Sequence, residues 1–198
     1  MTRIIGITGG IGSGKSTFSK QVKKRGLRLL DSDEQVSFIY KKPNKKFLVF
    51  LKKIGLGKAI SGDKINKKII SNTIFNNKVK KLKLEKYIFK IVRKNRSEFI
   101  KKEKKRKTKI VFLDIPLLFE NKLSKQFDTV ISIISSRKER YNRLKKSKKI
   151  SKNLFDKIIK SQTSDVERDK KSDIVIKNNT SMKIYLNRVN RVLDKIIK

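Results

Sequence analysis

The residues Gly9-Gly10-Ile11-Gly12-Ser13-Gly14-Lys15-Ser16-Thr17 have the most chemically directed spacing in this chain. They fit the phosphate-binding pattern Gly-x-x-x-x-Gly-Lys-Ser/Thr, with Gly9, Gly14, Lys15 and Ser16 in the fixed positions. Glycines let successive backbone N–H groups approach an anion closely, and a helix N-terminus that follows them adds to the attraction. Lys15 supplies a mobile positive charge for the outer phosphates of a nucleotide. The Ser16 hydroxyl is a natural ligand for a phosphate-bound Mg2+.

That chemistry requires a strand before the loop and a helix after it, and the sequence predicts both. Arg3 to Thr8 is a short apolar run that reads as a buried strand. From Ser16 to Arg25, Phe18 and Val22 recur at helical spacing, and Gly26 supplies a stop. Two further acidic positions lie where strands end. Leu27–Leu30 reads as a strand running into Asp31-Ser32-Asp33, and Ile110–Leu113 as one ending in Asp114. A carboxylate at such a strand end can hold Mg2+, directly or through water, or simply order the turn. Asp31 and Asp33 also fit as caps of the helix predicted over Glu34–Lys41.

Composition narrows the chemistry further. The 198 residues include no Cys and no His. Thiol nucleophiles, disulfides, imidazole bases and the usual zinc sites are thereby excluded. Any catalysis rests on carboxylates, Lys, Arg, hydroxyls and a hard metal with oxygen ligands. The 55 basic residues against 17 acidic ones give a formal charge of +38. Only 12 of the basic residues are Arg, and the lysines are spread along the chain rather than gathered in a stripe. This predicts non-specific polyanion binding at low salt and no specific nucleic-acid partner. No apolar run reaches the length of a membrane span, and none at the N-terminus resembles a signal segment, so a cytoplasmic protein with no membrane partner is expected.

Further along, helices are predicted over Asn44–Ile54 and from Asp63, as a cap, through Ile70. From Ile74 to Lys107 the sequence predicts two or more helices, with an apolar stripe of Leu82, Leu84, Ile88, Ile91 and Val92. The stretch 101–109 reads as a solvated helix end and turn. After Ile110–Asp114, Pro116 turns the chain. Thr129–Ile134 is a fourth buried run and Asp173–Ile176 a fifth, with helices over Lys138–Lys145, from Ser151 to about Ser161, and Ser181–Ile197. Five apolar strands separated by helical stretches predict an α/β fold, a parallel five-stranded sheet with helices on both faces. The long interval 35–109 is expected to form a mostly helical subdomain.

Taken together, these residues resemble the dephospho-coenzyme A kinase family, P-loop enzymes of small-molecule phosphorylation. The resemblance spans nearly the whole chain. It rests on Ile7–Thr17, Asp31-Ser32-Asp33, Leu113-Asp114-Ile115-Pro116-Leu117-Leu118-Phe119-Glu120, Ser161-Gln162, Ser172–Ile176 and Asn178-Asn179. It implies a P-loop NTPase-like fold with a substrate-binding subdomain and a lid over 140–165. The implied reaction is ATP-dependent phosphorylation of the ribose 3′-hydroxyl of dephospho-coenzyme A, with ATP as co-substrate and Mg2+, in a monomer.

The resemblance also implies roles. Asp33 is the general base, Lys15 the catalytic cation, and Arg143, with Arg140 one turn earlier, the lid arginines. Gly12, Ser13, Gly14, Lys15, Ser16, Thr17 and Asn178 bind the nucleotide. Thr8, Asp33, Leu117 and Glu120 lie on the substrate side, and Ser16 and Asp114 on the metal. The chain departs from the family pattern twice. A Leu-Glu-x-x-x-His-Pro segment reads Leu84-Glu85-Lys86-Tyr87-Ile88-Phe89-Lys90, and a second lid arginine falls at Ser147, flanked by Lys146 and Lys148. A lysine supplies charge there without the bidentate fork of arginine. Another small P-loop kinase, acting on a nucleoside or nucleotide, is the alternative enzyme reading. A nucleic-acid binder that keeps an old nucleotide fold is the alternative from outside enzymology.

Overall fold

A computed structural model describes residues 1–147 and 150–198. The chain divides into two compact units, Met1–Asp31 with Ile100–Lys198, and Ser32–Phe99. The lid lysine at position 148, and with it part of the basic stretch 145–149, lies outside the described residues.

The first unit is built on a sheet of β1 (Arg3–Gly9), β2 (Arg28–Asp31), β5 (Ile110–Asp114), β6 (Thr129–Ile134) and β7 (Ile174–Lys177). Its order is β2-β5-β1-β6-β7, and every pairing is parallel. The strands are continuous apolar runs because both faces are covered. On one face lie α1 (Lys15–Lys24) and α9 (Met182–Ile197). Tyr185, Val189, Leu193 and Ile196 recur along α9 at helical spacing and pack with Phe18 and Val22 of α1 against Ile5, Ile7, Phe112, Ile131, Ile133 and Ile176. Each such fully buried side chain contributes about 1.5–3 kcal/mol of hydrophobic stabilisation.

On the opposite face, a Cβ on Gly6 would lie 2.9 Å from Leu118 and 3.0 Å from Phe127, so only glycine fits there. α8 (Asp165–Lys171) is tied to this sheet through Ser172, which lies 2.6 Å from the Ser132 hydroxyl on β6. α6 (Arg137–Lys146) and α7 (Lys152–Ser161) meet through Tyr141 and Phe155, whose ring centres are 5.3 Å apart. Ser151 caps α7 and Ser181 caps α9, each hydroxyl accepting an N–H three residues on.

The second unit contains α2 (Ser32–Lys41), α3 (Lys45–Lys53), a small hairpin of β3 (Ile60–Ser61) and β4 (Lys64–Ile65), α4 (Lys67–Phe75) and most of α5 (Lys78–Lys105). Its core holds Phe47, Leu51, Leu56, Ala59, Ile70, Leu84, Ile88 and Val92. Phe47 packs edge-on to Tyr40 and stacks on Tyr87, which also stacks on Phe50 at 3.9 Å.

Several local expectations are corrected here. Asn66, not Asp63, caps α4, its side chain accepting from the N–H groups of Lys68 and Ile69; Asp63 sits in the hairpin turn. From Lys78 a single helix of 28 residues runs to Lys105, started by Asn77, whose side-chain Oδ1 accepts from Lys80 N. Leu82 leaves the expected apolar stripe and is 63% exposed. α5 runs past Phe99, the last residue of the second unit, so its C-terminal end belongs to the first unit. There Glu103 is buried and bound to Arg28 of β2 at 2.9 Å.

Candidate active site

The phosphate loop connects the end of β1, the central strand, to α1. Gly14 stands at the helix N-cap with φ 105°, a left-handed conformation that strains any side chain. A Cβ there would also lie 2.3 Å from the Asn178 amide. At Gly9 a Cβ would lie 2.6 Å from the carbonyl oxygen of Ile133 on β6. Both fixed glycines are thus demanded by geometry.

The loop is held from behind. The Arg140 Nε donates to Ile11 O at 2.7 Å, and Arg143 donates to Gly12 O at 3.3 Å. Asn178 Nδ2 donates to Ser13 O at 2.8 Å, and the Tyr185 hydroxyl to Gly14 O at 2.9 Å. Four consecutive carbonyls are therefore each gripped by a different side chain, from α6, from the segment after β7 and from α9. In a trans peptide the C=O of one residue and the N–H of the next point in opposite directions. Gripping the carbonyls of Ile11, Ser13 and Gly14 thus turns the N–H groups of Gly12, Gly14 and Lys15 the other way, while the Ser13 N–H donates to Gly10 O at 3.1 Å. That is the arrangement of an anion cradle.

At the end of β5, Asp114 is fully buried. One carboxylate oxygen is 2.5 Å from Lys15 Nζ and the other accepts from Ser19 Oγ at 2.5 Å. Burial pushes its carboxyl above the ordinary range, Lys15 and Ser19 pull it back, and Asp31, its cross-strand neighbour, pushes it up again. Ser16 is exposed in the first turn of α1. A hydroxyl and a carboxylate form an oxygen donor set suited to Mg2+, the remaining ligands coming from phosphates and water. No cluster of three or more His, Cys, Asp or Glu occurs among the described residues.

Of the residues expected on the substrate side, Thr8, Leu117 and Glu120 lie at or against the turn after β5, and Asp33 does not. Thr8 is fully buried and its hydroxyl donates to Pro116 O at 3.1 Å. Leu117 is half-buried, and its carbonyl accepts from the Asn121 amide at 2.8 Å. Glu120 Oε1 accepts from Thr163 N at 2.7 Å and pairs with Arg168, itself fully buried, at 3.0 Å. Arg168 also pairs with Asp165 at 3.5 Å, and Asp165 with Arg140 at 3.4 Å. Gln162 accepts from Ile11 N at 3.0 Å. An ionic chain thus runs from the Glu120 turn to the back of the phosphate loop.

The sequence-expected nucleotide residues Gly12 to Thr17, Asn178, Arg140 and Arg143 lie together. The two arginines grip loop carbonyls, and Arg140 is buried rather than held out as a lid. Asp33 belongs to the second unit, in the first turn of α2. In that unit the residues that stand in place of His-Pro, Phe89 and Lys90, line an open groove of about 570 Å³ with Leu82, Glu85, Lys86 and Arg93. Tyr185, Ser19, Gln162, Asp165 and Arg168 were missed by sequence reasoning. Gln162 was seen only as part of a motif, and the others had no signal beyond helical periodicity.

A family model described as dephospho-CoA kinase matches residues 3–183. The chain is 36% identical to the dephospho-CoA kinase of Fusobacterium nucleatum subsp. nucleatum, over 98% of both chains. It superposes on the solved dephospho-CoA kinase from Campylobacter jejuni with a TM-score of 0.75 and 25% identity, covering 99% of this chain and 98% of that one. A shikimate kinase from Acinetobacter baumannii, at 14% identity and a TM-score of 0.52 over 100% of this chain and 94% of that one, shares the fold alone. The motif match, the sheet order and the braced loop agree with these likenesses over nearly the entire length, and the chain belongs to the dephospho-CoA kinase family.

Proposed function

We propose that this protein transfers the γ-phosphoryl group of ATP to the ribose 3′-hydroxyl of dephospho-coenzyme A, giving coenzyme A in the last step of its synthesis. The observation that carries this reading is the braced loop, whose amides at Gly12, Gly14 and Lys15 face away from the gripped carbonyls, in a chain of this family. Phosphoryl transfer needs positioning and charge neutralisation more than covalent chemistry. The N–H groups of Gly12, Gly14 and Lys15, with Ser16 and Thr17, hold the phosphates around the turn that Ser13 closes onto Gly10 O, and Lys15 leaves Asp114 to neutralise them. Arg140 and Arg143 act through the loop they grip and through their charge. Asn178 closes the nucleotide side. Thr8 and Leu117 shape the acceptor side, and Glu120 braces the turn that carries Leu117 through Thr163 and Arg168.

Asp33 takes the proton of the 3′-hydroxyl as its oxygen bonds to the γ-phosphorus and the bond to the β-phosphate oxygen breaks, releasing ADP. Ser16 and Asp114 would hold Mg2+, whose charge stabilises the transferring group. We further read the protein as a cytosolic monomer. The described residues contain no helix long and apolar enough to cross a membrane, and a chain without cysteine suits a reducing compartment.

Purified protein with Mg-ATP and an acceptor panel tests the reading. Dephospho-coenzyme A should be converted to coenzyme A with one ADP released per product. Preference for a nucleoside or a nucleoside monophosphate would overturn it. Asp33→Asn should lose turnover by about 10²-fold or more while ADP still binds, and robust activity in that variant would remove Asp33 as the base.

A further inference from the structure

We infer that Tyr185 of the C-terminal helix α9 is a positioning residue of the nucleotide site, acting through the carbonyl of Gly14. The inference rests on the kinase reading above.

Three of the four side chains behind the loop, those of Arg140, Arg143 and Asn178, are charged or amide groups with further partners. Arg140 also binds Asp165 and Gln162, and Arg143 binds the Ser135 hydroxyl and Asn178 O. Tyr185 differs. Its ring is fully buried in the sheet core with Phe18, Val189 and Leu193, and its single polar atom reaches Gly14 O. A rigid ring with two side-chain torsions, fixed by packing, places that hydroxyl without further adjustment.

Gly14 O also accepts from Thr17 N at 3.0 Å and Phe18 N at 3.3 Å in the first turn of α1. The tyrosine hydroxyl therefore adds an orienting bond to a carbonyl that is already paired. Its removal spares the fold and frees the peptide between Gly14 and Lys15 to tilt. The N–H of that peptide belongs to Lys15, at the point where the cradle meets the helix N-terminus. A tilt there moves one phosphate donor and the base of the lysine side chain together.

The test uses Tyr185→Phe in the full chain, with Val189→Ala as a control one turn further along the same buried face. ADP affinity is measured by titration, thermal midpoint without ligand by calorimetry, and the KM values for ATP and dephospho-coenzyme A by steady-state kinetics. Tyr185→Phe is expected to weaken ADP about three- to tenfold, the worth of one orienting hydrogen bond. The KM for ATP rises in step and that for dephospho-coenzyme A does not. Val189→Ala lowers the thermal midpoint and leaves ADP affinity within about twofold.

Equal ADP affinity in Tyr185→Phe and the unsubstituted protein would overturn the inference while leaving the kinase reading intact. So would equal weakening in both variants, or failure of Tyr185→Phe to fold, which would make the hydroxyl a requirement of the core. Failure of the unsubstituted protein to bind ADP would instead bring down the kinase reading, and this inference with it.

Discussion

Lys15 Nζ lies 2.5 Å from the carboxylate of Asp114, joining the last loop residue to the end of the neighbouring strand β5. The register explains the meeting, because Asp114 pairs with Ile7 on β1, two residues before the strand ends. Ser19, one helical turn after Lys15, takes the second carboxylate oxygen. The pair keeps a buried carboxylate compensated.

Lys15→Met should therefore do two things. Turnover falls by about 10²-fold or more, since a charge aimed at the transferring group is lost. Stability also changes with pH in a defined sense. Burial already raises the Asp114 carboxyl, and removing the lysine raises it further. A group raised in the folded state contributes stability below its unfolded value that is lost as pH rises through its folded value. The thermal midpoint of Lys15→Met should then trail the unsubstituted protein more at about pH 7 than at about pH 4, and adding Asp114→Asn should close most of that gap. Thermal scans across that range check it.

Much of this architecture is legible in the sequence because it is local. The glycine and lysine spacing of residues 9–17, the apolar runs of the five sheet strands and the serine caps of α7 and α9 each follow from a short window. What is not legible is direction. The spacing of Arg140 and Arg143 reveals two cations on one helix face, but whether they point over the loop or behind it depends on β6 lying beside β1. Tyr185 reads as one more apolar position of α9, since nothing local says that its hydroxyl ends at Gly14. In the stretch 101–109, surrounding lysines conceal that Glu103 is buried, because its partner Arg28 is 75 residues away in sequence. Asn66 and Asn77 were readable as caps, yet Asp63 competed with the first, and the absence of Gly and Pro hid the second.

Glu120→Gln tests what that side chain does. Its Oε1 is committed to Thr163 N and to Arg168, which is fully buried. Neutralising it leaves a buried cation with one acidic partner fewer. A loss of about 2–4 kcal/mol is expected, read as a lower midpoint in urea. The KM for dephospho-coenzyme A should stay within about twofold. A large rise in that KM with unchanged stability would instead mean direct contact with the acceptor.

The charge of +38 predicts binding to single-stranded nucleic acid that is electrostatic alone. Affinity for an oligonucleotide of arbitrary sequence should fall by about 10³-fold or more between about 50 and 200 mM salt, with no preference among sequences. Fluorescence anisotropy across a salt series checks this. Sequence-selective binding that survives the higher salt would restore a nucleic-acid role.

Glu103 supplies the last prediction. Its carboxylate accepts from Arg28 at 2.9 Å, Thr108 at 2.8 Å and Arg106 at 3.1 Å, which ties the end of α5 to β2. The Arg28 hydrogen bond is the largest influence holding its carboxyl below the ordinary range, with burial opposing and Thr108 assisting. A group lowered in the folded state contributes stability above its unfolded value that is lost as pH falls through its folded value. Glu103→Gln keeps the shape and loses the charge, so it should cost about 1–2 kcal/mol at neutral pH. At a pH well below the ordinary carboxylate range, past the lowered folded value, the variant and the unsubstituted protein should converge, because the carboxylate becomes protonated there as well. Parallel stability curves at both pH values would mean that Glu103 contributes through packing and not through its charge.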